Sequence, residues 1–464
     1  MTDETGLSEL LACPRCDRTP LANSDDGYAC AGCKTVFPCR GGIAWLFAEP
    51  DAALGEWRSR LHFSLRQLAF EEQRLHDELA RAQLPELTQR RLASQHEATA
   101  QHRQALSRLL APLDVQSKQE AAYESHLALR TRLPADQGLN TYYANVHRDW
   151  CWGDAENAAA LEQLLAVLGV ADAPAAALAD TVVLGAGAGR LAYDLHQGFG
   201  TRRTVAIDFN PLLAFVAQTV MRGDTLELFE FPIAPKSLAD FAVRRTLAAP
   251  AAARENFHFV LGDVLRAPFA DASFDTAVTP WLIDIVSEDV ATFAARINRL
   301  LKPGGRWLNF GSLSFEECPQ RARRYSPEEI VQLVQDAGFD APAVHQATIP
   351  YMCSPASRHG RRETTFSFCA VKSSEVERPV RHKALPDWLV TGKQPVPLLP
   401  SFRTQVLSTR IYSFVMSLID GRRSIDDMAR LLEQQKLMTR EEAVPAIRNF
   451  LTRMYDDSRR NSGF

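Results

Sequence analysis

The stretch Thr181–Asp208, TVVLGAGAGRLAYDLHQGFGTRRTVAID, decides the fold. Thr181-Val182-Val183-Leu184 has the β-branched, apolar character of a buried strand, and Gly185-Ala186-Gly187-Ala188-Gly189 then leads into a helical stretch, Ala192 to Gln197. Glycines at such a junction allow tight turns and let main-chain N–H groups approach a ligand where a Cβ would collide. Thr204-Val205-Ala206-Ile207 reads as a second strand, and it ends in Asp208, about twenty residues beyond the glycines. A carboxylate placed there can accept hydrogen bonds from both hydroxyls of a ribose. The pattern predicts an α/β fold with a nucleoside-binding βαβ unit. By itself it is shared by NAD and S-adenosylmethionine enzymes.

Two later stretches separate those cofactors. Phe257-His258-Phe259-Val260-Leu261-Gly262-Asp263 is a strand ending in Gly-Asp, where a carboxylate can meet an adenine amino group. Ser273 to Thr279 is a fourth strand, followed by Pro280-Trp281-Leu282-Ile283-Asp284; Ile297 to Asn309 reads as a helix, a Pro303-Gly304-Gly305 turn and a fifth strand. The glycine run is GxGxG followed by Arg190, without the full GxGxxG of a dinucleotide site. In order and spacing this resembles the class I, Rossmann-like methyltransferase domain, which implies S-adenosylmethionine as the cofactor and leaves an NAD dehydrogenase as the distant alternative.

Toward the start, Cys13-Pro-Arg-Cys16 and Cys30-Ala-Gly-Cys33 form two CxxC pairs, each able to place two thiolates on one turn. Two such pairs about a dozen residues apart are the spacing of a structural zinc ribbon, in which four sulfurs at ~2.3 Å close a tetrahedral site. Cys39 lacks a paired partner. A closed site leaves zinc no open position, so its expected role is to hold structure. Between Trp57 and Leu113, leucines at helical spacing predict two or three amphipathic helices, and Pro85 makes a hairpin of helices the expected form. His62, His76, His96 and His102 in this stretch are expected to be solvated or capping. Thr141 to Trp150 is an aromatic and charged run that reads as packing or as a lid over a ligand.

The 464 residues are 46% hydrophobic and 23% charged, which excludes strong disorder and allows about three domains. Lys and Arg number 52 against 56 Asp and Glu, so there is no global basic field for nucleic acid, and RNA would need a local patch. Arg321-Ala-Arg323-Arg324 and Arg358-His359-Gly-Arg361-Arg362 are short basic clusters of the kind usually found on solvated surface. No apolar stretch is clean enough for a membrane span, and the acidic start lacks a signal-peptide pattern. A soluble cytoplasmic protein is the expectation.

These motifs resemble the carnosine N-methyltransferase family. The resemblance is carried by Arg148-Asp149-Trp150, Gly185 to Leu191, Gly262-Asp263, Leu282-Ile283-Asp284 and Leu301 to Gly311, and spans roughly Trp57 to Lys372. It implies that Asn145 and Arg148 enclose the methionine end of the cofactor, that Gly185, Gly187 and Gly189 line it, that Asp208 takes the ribose and that Asp263 lies by the adenine. It also implies that Asp284 touches the methyl acceptor. Physical chemistry agrees, since positive charge develops on a nitrogen during methyl transfer and a nearby carboxylate stabilises it. The competing reading makes Asp284 a helix cap. Tyr351 lines the acceptor pocket or belongs to the core. Where the family has a histidine after the fifth strand, this chain has Gly311-Ser312-Leu313-Ser314-Phe315-Glu316; Glu316, near the histidine's place, suits a more cationic acceptor.

The cysteine segment resembles the small zinc-ribbon proteins that activate methyltransferases of tRNA and translation factors, and the ribbon that precedes some ribosomal RNA methyltransferase domains. After a Pro-rich linker, the stretch from Ile411 to Met428 resembles the winged-helix peptide chaperones of natural-product pathways, which implies protein or peptide docking. The expected organisation is a zinc ribbon over 1–50, a helical lead-in and lid over 51–140, the methyltransferase domain over 141–372, a linker over 373–400 and a small helical or winged-helix domain over 401–464. The first functional expectation is N-methylation of an imidazole- or amine-bearing small molecule or peptide. The second is methylation of RNA or a translation factor, and the third a non-catalytic ligand-sensing scaffold.

Overall fold

The computed structural model describes residues 5–81, 83–115, 144–170, 178–315, 318, 320–382, 388 and 393–462. The chain divides into two compact units, Met1–Lys383 and Ala384–Phe464.

After a four-residue helix, Thr5–Ser8, the first unit forms four short strands, β1 (Ala22–Ser24), β2 (Gly27–Ala29), β3 (Val36–Arg40) and β4 (Ile43–Trp45). Two helices follow, α1 (Pro50–Arg81) and α2 (Glu86–Leu109), with Pro85 at the N-cap of the second. The break falls there because a proline ring denies the preceding turn a main-chain hydrogen bond. After the short helix Ala144–His147 and a π-helical turn Arg148–Trp152 come α3 (Asp154–Val170), β5 (Ala179–Leu184), α4 (Arg190–Gly198), β6 (Thr201–Asp208) and α5 (Pro211–Met221). The hairpin β7 (Leu226–Glu230) and β8 (Val243–Leu247) stands apart as a two-stranded sheet. The unit continues with β9 (Phe257–Leu261), β10 (Phe274–Pro280), α6 (Val290–Leu300), β11 (Leu301–Gly311), α7 (Pro327–Asp336), β12 (Ala343–Tyr351) and β13 (Arg361–Val371).

The main sheet has the order β1-β2-β3-β4-β9-β6-β5-β10-β11-β13-β12. Its centre, β9-β6-β5-β10-β11, is parallel, and β13 lies antiparallel between β11 and β12. The chain runs outward from β5 in one direction through β6 and β9, then returns to β10 on the other side. That reversal opens a crevice at the carboxyl ends of the strands, where ligands bind in doubly wound sheets. This is the α/β class I arrangement that the sequence predicts. Central strands are buried on both faces, as Val182, Val183, Val205 and Ile207 show, which explains their continuous apolar runs. The Pro-Gly-Gly step read as a turn lies inside β11, where the pairing with β10 shifts register between Phe274 and Thr276.

The cysteine-bearing segment is continuous with this sheet: β4 pairs in parallel with β9, Ala44 opposite Val260. Leu46 N donates to Leu261 O at 2.6 Å, and the buried side chains of Leu11, Phe37 and Leu46 share one core with Val260 and Phe269. No described helix is long and apolar enough to cross a membrane.

The second unit contains α8 (Pro400–Ser417), α9 (Ile425–Gln434) and α10 (Arg440–Ser462) around Val415, Leu418, Met428, Leu432 and Ile447. Ser424 begins α9 with a reciprocal capping box to Asp427. Among the described residues this unit has helices and no strand.

Candidate active site and cysteine cluster

The glycine loop is fastened to the end of β6. Gly185 N and Ala186 N both donate to Ile207 O at 3.0 Å, and Gly187 N donates to Asp208 Oδ2 at 2.8 Å. Gly187 has φ +58°, and a Cβ built on it meets nothing within 4 Å. The backbone there faces open space in a conformation that side chains disfavour. Gly189 has a different reason: a Cβ would lie 2.8 Å from Met221 Cε. Gly185 is closed in by Leu282, whose Cδ1 would stand 2.8 Å from such a Cβ. The turn bearing Leu282-Ile283-Asp284 is thereby set beside the loop.

Asp208 is 5% exposed and also accepts from Asn210 N at 2.8 Å on Oδ1. Each carboxylate oxygen thus accepts from a main-chain donor. Burial pushes its pKa up to about 6, against the lowering effect of the Asn210, Gly187 and Phe209 N–H groups. Gly262 N donates to Asp208 O at 3.0 Å, which puts Asp263 on the neighbouring strand end. Asp263 accepts from Leu265 N at 2.9 Å on Oδ1, and burial raises its pKa. The open face at Gly187 and two carboxylates with accepting capacity suit the glycosidic end of S-adenosylmethionine.

Asp284 is 5% exposed, and its Oδ2 accepts from Ser312 Oγ at 2.8 Å, Ser314 N at 3.0 Å and Ser314 Oγ at 3.3 Å. Among the described residues no hydrogen bond reaches Oδ1. The helix that follows is capped by Asp289, which accepts from Ala291 N at 3.0 Å. The helix-cap reading of Asp284 therefore fails. Trp281, with φ +50°, donates its N–H to Phe310 O at 2.6 Å and places its ring centroid 4.7 Å from that of Tyr351. Arg148 and Arg361 lie over the Tyr351 ring at 5.7 and 4.6 Å. Glu156, buried at the start of α3, holds the next two residues, accepting from Met352 N at 2.9 Å and Cys353 N at 2.8 Å.

Arg148 is paired with Asp149, through Nε at 2.8 Å and NH2 at 2.7 Å. Burial opposes its charge, but Asp149, Tyr351 and Glu156 together more than compensate and raise its pKa. Asn145 is half-buried one turn earlier. Tyr351 thus joins Arg148 and Trp281 in one assembly, while Glu316 lies outside the described residues. The sequence reading missed Glu156, whose partners are nearly two hundred residues away, and Trp281, whose ring contact with Tyr351 follows from the β12–β13 hairpin. It also misjudged His102, which is buried and accepts from Phe229 N at 3.2 Å; burial pushes its pKa down to about 4. An aromatic partner, Phe231 at 5.6 Å, and the β7 amide could not be foreseen from helix spacing.

At the other end of the unit, the sulfurs of Cys13, Cys16, Cys30 and Cys33 all lie within 4.8 Å of one another. Cys13 and Cys33 are 3.6 Å apart, and Cys16 and Cys30 3.5 Å. Both knuckles use a left-handed residue to close, Asp17 and Lys34, with Asp17 N donating to Cys13 O and Lys34 N to Cys30 O. Four converging soft donors fit a tetrahedral zinc ion. Burial raises the Cys13 thiol; burial also opposes ionisation of Cys33, but bonds with Thr35 outweigh it and bring that thiol to about 6.

A search of the curated proteins returns no significant match. Among solved structures, the YcgJ protein of Bacillus subtilis is 15% identical, with 46% of this chain and 99% of that chain aligned at a TM-score of 0.32. Phosphoethanolamine N-methyltransferase 2 of Haemonchus contortus, solved with S-adenosyl-L-methionine, is 16% identical over 51% of this chain and 59% of that one, at a TM-score of 0.33. A SAM-dependent methyltransferase of Methanosarcina mazei is 17% identical over 42% and 93%, at 0.29. The sequence profile of carnosine N-methyltransferase matches residues 137–373, just over half of the chain. That stretch runs from before Arg148 through the glycine loop to the end of β13, so the chain belongs to the carnosine N-methyltransferase family and is an S-adenosylmethionine-dependent methyltransferase.

Proposed function

We propose that the protein N-methylates an imidazole- or amine-bearing small molecule or peptide, with Asp284 orienting the acceptor. The observation that carries this reading is the asymmetry of Asp284: its Oδ2 is saturated by Ser312 and Ser314, while its Oδ1 has no hydrogen-bond partner among the described residues. A carboxylate fixed through one oxygen is rigid, and the other can accept an acceptor N–H. On an imidazole, that bond selects the tautomer whose second nitrogen carries the lone pair. As positive charge builds on the ring, the same carboxylate stabilises it in a site screened from water.

S-adenosylmethionine, when bound, supplies a methyl group on a sulfonium. In the proposed arrangement Asp208 accepts from the ribose hydroxyls, Asp263 from the adenine amino group, and Gly187, with its open face, admits the cofactor to a loop whose course Gly185 and Gly189 set by packing against Leu282 and Met221. Arg148, with Asn145 beside it, carries positive charge at the methionine end. Trp281 and Tyr351 supply flat apolar surfaces against which a ring packs. For Glu316 the proposal keeps only what the resemblance implies, a carboxylate suited to a cationic acceptor. Cys13, Cys16, Cys30 and Cys33 would hold a zinc ion with no open coordination position, so its part is to fix the two knuckles against the sheet. The helical second unit is proposed to dock a peptide or protein.

The test is transfer of labelled methyl from S-adenosylmethionine to cell extract split into small-molecule, peptide and RNA fractions, followed by carnosine and other imidazole compounds individually. Label in the small-molecule or peptide fraction on a ring or amine nitrogen supports the proposal. Label confined to RNA overturns it.

A further inference from the structure

The turn that carries Asn145 and Arg148 is short: four helical residues and one π-helical turn. One side chain outside it supplies much of its attachment. Arg190, the first residue of α4 and directly after Gly189, donates from NH1 to Asp149 O at 2.7 Å and pairs with Asp154 Oδ1 at 3.2 Å. Its Nε is shared between the two Asp194 oxygens at 3.0 and 3.1 Å. Its guanidinium also lies 5.7 Å over the Trp150 ring, whose Nε1 donates to Ala188 O, in the glycine loop itself, at 2.8 Å. Asp149, held by Arg190 through its main chain, holds Arg148 through its carboxylate.

We propose that Arg190 is a positioning residue for cofactor binding: it latches the Arg148-Asp149-Trp150 turn onto the glycine loop and so sets Arg148 at the methionine end of the site. The inference rests on the assignment of Arg148 to the cofactor in the preceding section. Arginine suits the task because one planar group supplies donors in several fixed directions and a flat face for the indole. A lysine ammonium supplies the charge but neither the fork nor the face. The competing role is local: an i,i+4 pair with Asp194 that merely stabilises α4. That role predicts lower stability and unchanged affinity.

Calorimetric titration of the full-length protein with S-adenosylmethionine distinguishes the two roles. The proteins compared are the wild type, R190A, R190K, R148A and the R148A/R190A double variant, with melting curves run in parallel. The latch predicts that R190A weakens binding at least tenfold and that R190K remains at least threefold weaker than wild type. It also predicts that, in the R148A background, adding R190A changes the dissociation constant by less than twofold, because the two residues act in series. Wild-type affinity in R190A and R190K, whatever their melting temperatures, overturns the latch. So do losses that multiply in the double variant. If R190A does not fold, R190K and R148A/R190K carry the same comparison. A wild type that binds while R148A loses nothing overturns the assignment of Arg148, and the latch with it.

Discussion

Cofactor affinity is expected to fall in acid because of Asp208. Its carboxyl is buried, and its pKa of about 6 lies well above the usual carboxylate value. The ribose hydroxyls are donors, so the ionised form is the one that receives them. With a pKa of about 6, roughly nine-tenths of the free protein is ionised at pH 7 and roughly one-tenth at pH 5. The apparent dissociation constant for S-adenosylmethionine therefore rises about tenfold over that interval, or about 1.4 kcal/mol. Acid unfolding does not imitate this through Asp208. A carboxyl whose folded pKa is raised makes its own contribution more favourable to folding as pH falls from about 6 toward its unfolded value near 4. Asp263 is raised by burial as well, so its effect on binding has the same sign. The assay is calorimetric titration at half-unit steps from pH 5 to pH 7 in two buffers of different ionisation enthalpy, which also reads proton release at the low end. D208N is expected to bind weakly and to lose most of the pH dependence. A wild-type dissociation constant that stays level between pH 5 and pH 7 would refute the reasoning, as would a D208N profile as steep as wild type.

Three other outcomes follow from the same geometry. D284N is expected to bind S-adenosylmethionine within twofold of wild type and to lose on the order of 10²-fold in turnover on the acceptor found by the fractionated assay; full turnover with intact binding would remove Asp284 from the chemistry. Metal analysis is expected to give about one zinc per chain, lost in C13S/C16S, whose melting temperature falls because the knuckles share a core with β9; a metal-free wild type would sink the zinc assignment. Trp307 is fully buried, meets Phe368 edge to face with ring centroids 4.9 Å apart and donates to Thr279 Oγ1 at 2.9 Å, so W307A is expected to cost about 3–5 kcal/mol in urea unfolding. A loss below about 1 kcal/mol would show that this part of the core is not packed as described.

The proposed cofactor side was legible in the sequence because it is local. A strand, a glycine turn and a second strand ending in Asp208 are written within twenty-eight consecutive residues. Their contacts, Gly187 N to Asp208 above all, join neighbours in the sheet. The cysteine pairs were legible for the same reason, since each CxxC closes on its own turn. The acceptor side was less so. Asp284 stood out by its place after a strand, but only Ser312 and Ser314 decide which of its oxygens is spoken for, and they come from the end of a different strand. Tyr351 was equally a core residue until the pairing of β12 with β13 carried it beyond Gly311 to meet Trp281 and Arg148.

The sequence by itself determined the doubly wound class, the carboxylates Asp208 and Asp263 at neighbouring strand ends and the tetrad of thiols, because periodicity, glycine placement and short spacings are properties of a few consecutive residues. Only the tertiary structure decided that the cysteine segment continues the main sheet through β4 and β9, and that Glu156 holds the turn after Tyr351. It also decided that Arg190 reaches back across the glycine loop to Asp149. Each of these joins groups far apart along the chain, and their partners are fixed by which strands lie side by side, a choice that burying both faces of the sheet makes for the whole chain at once.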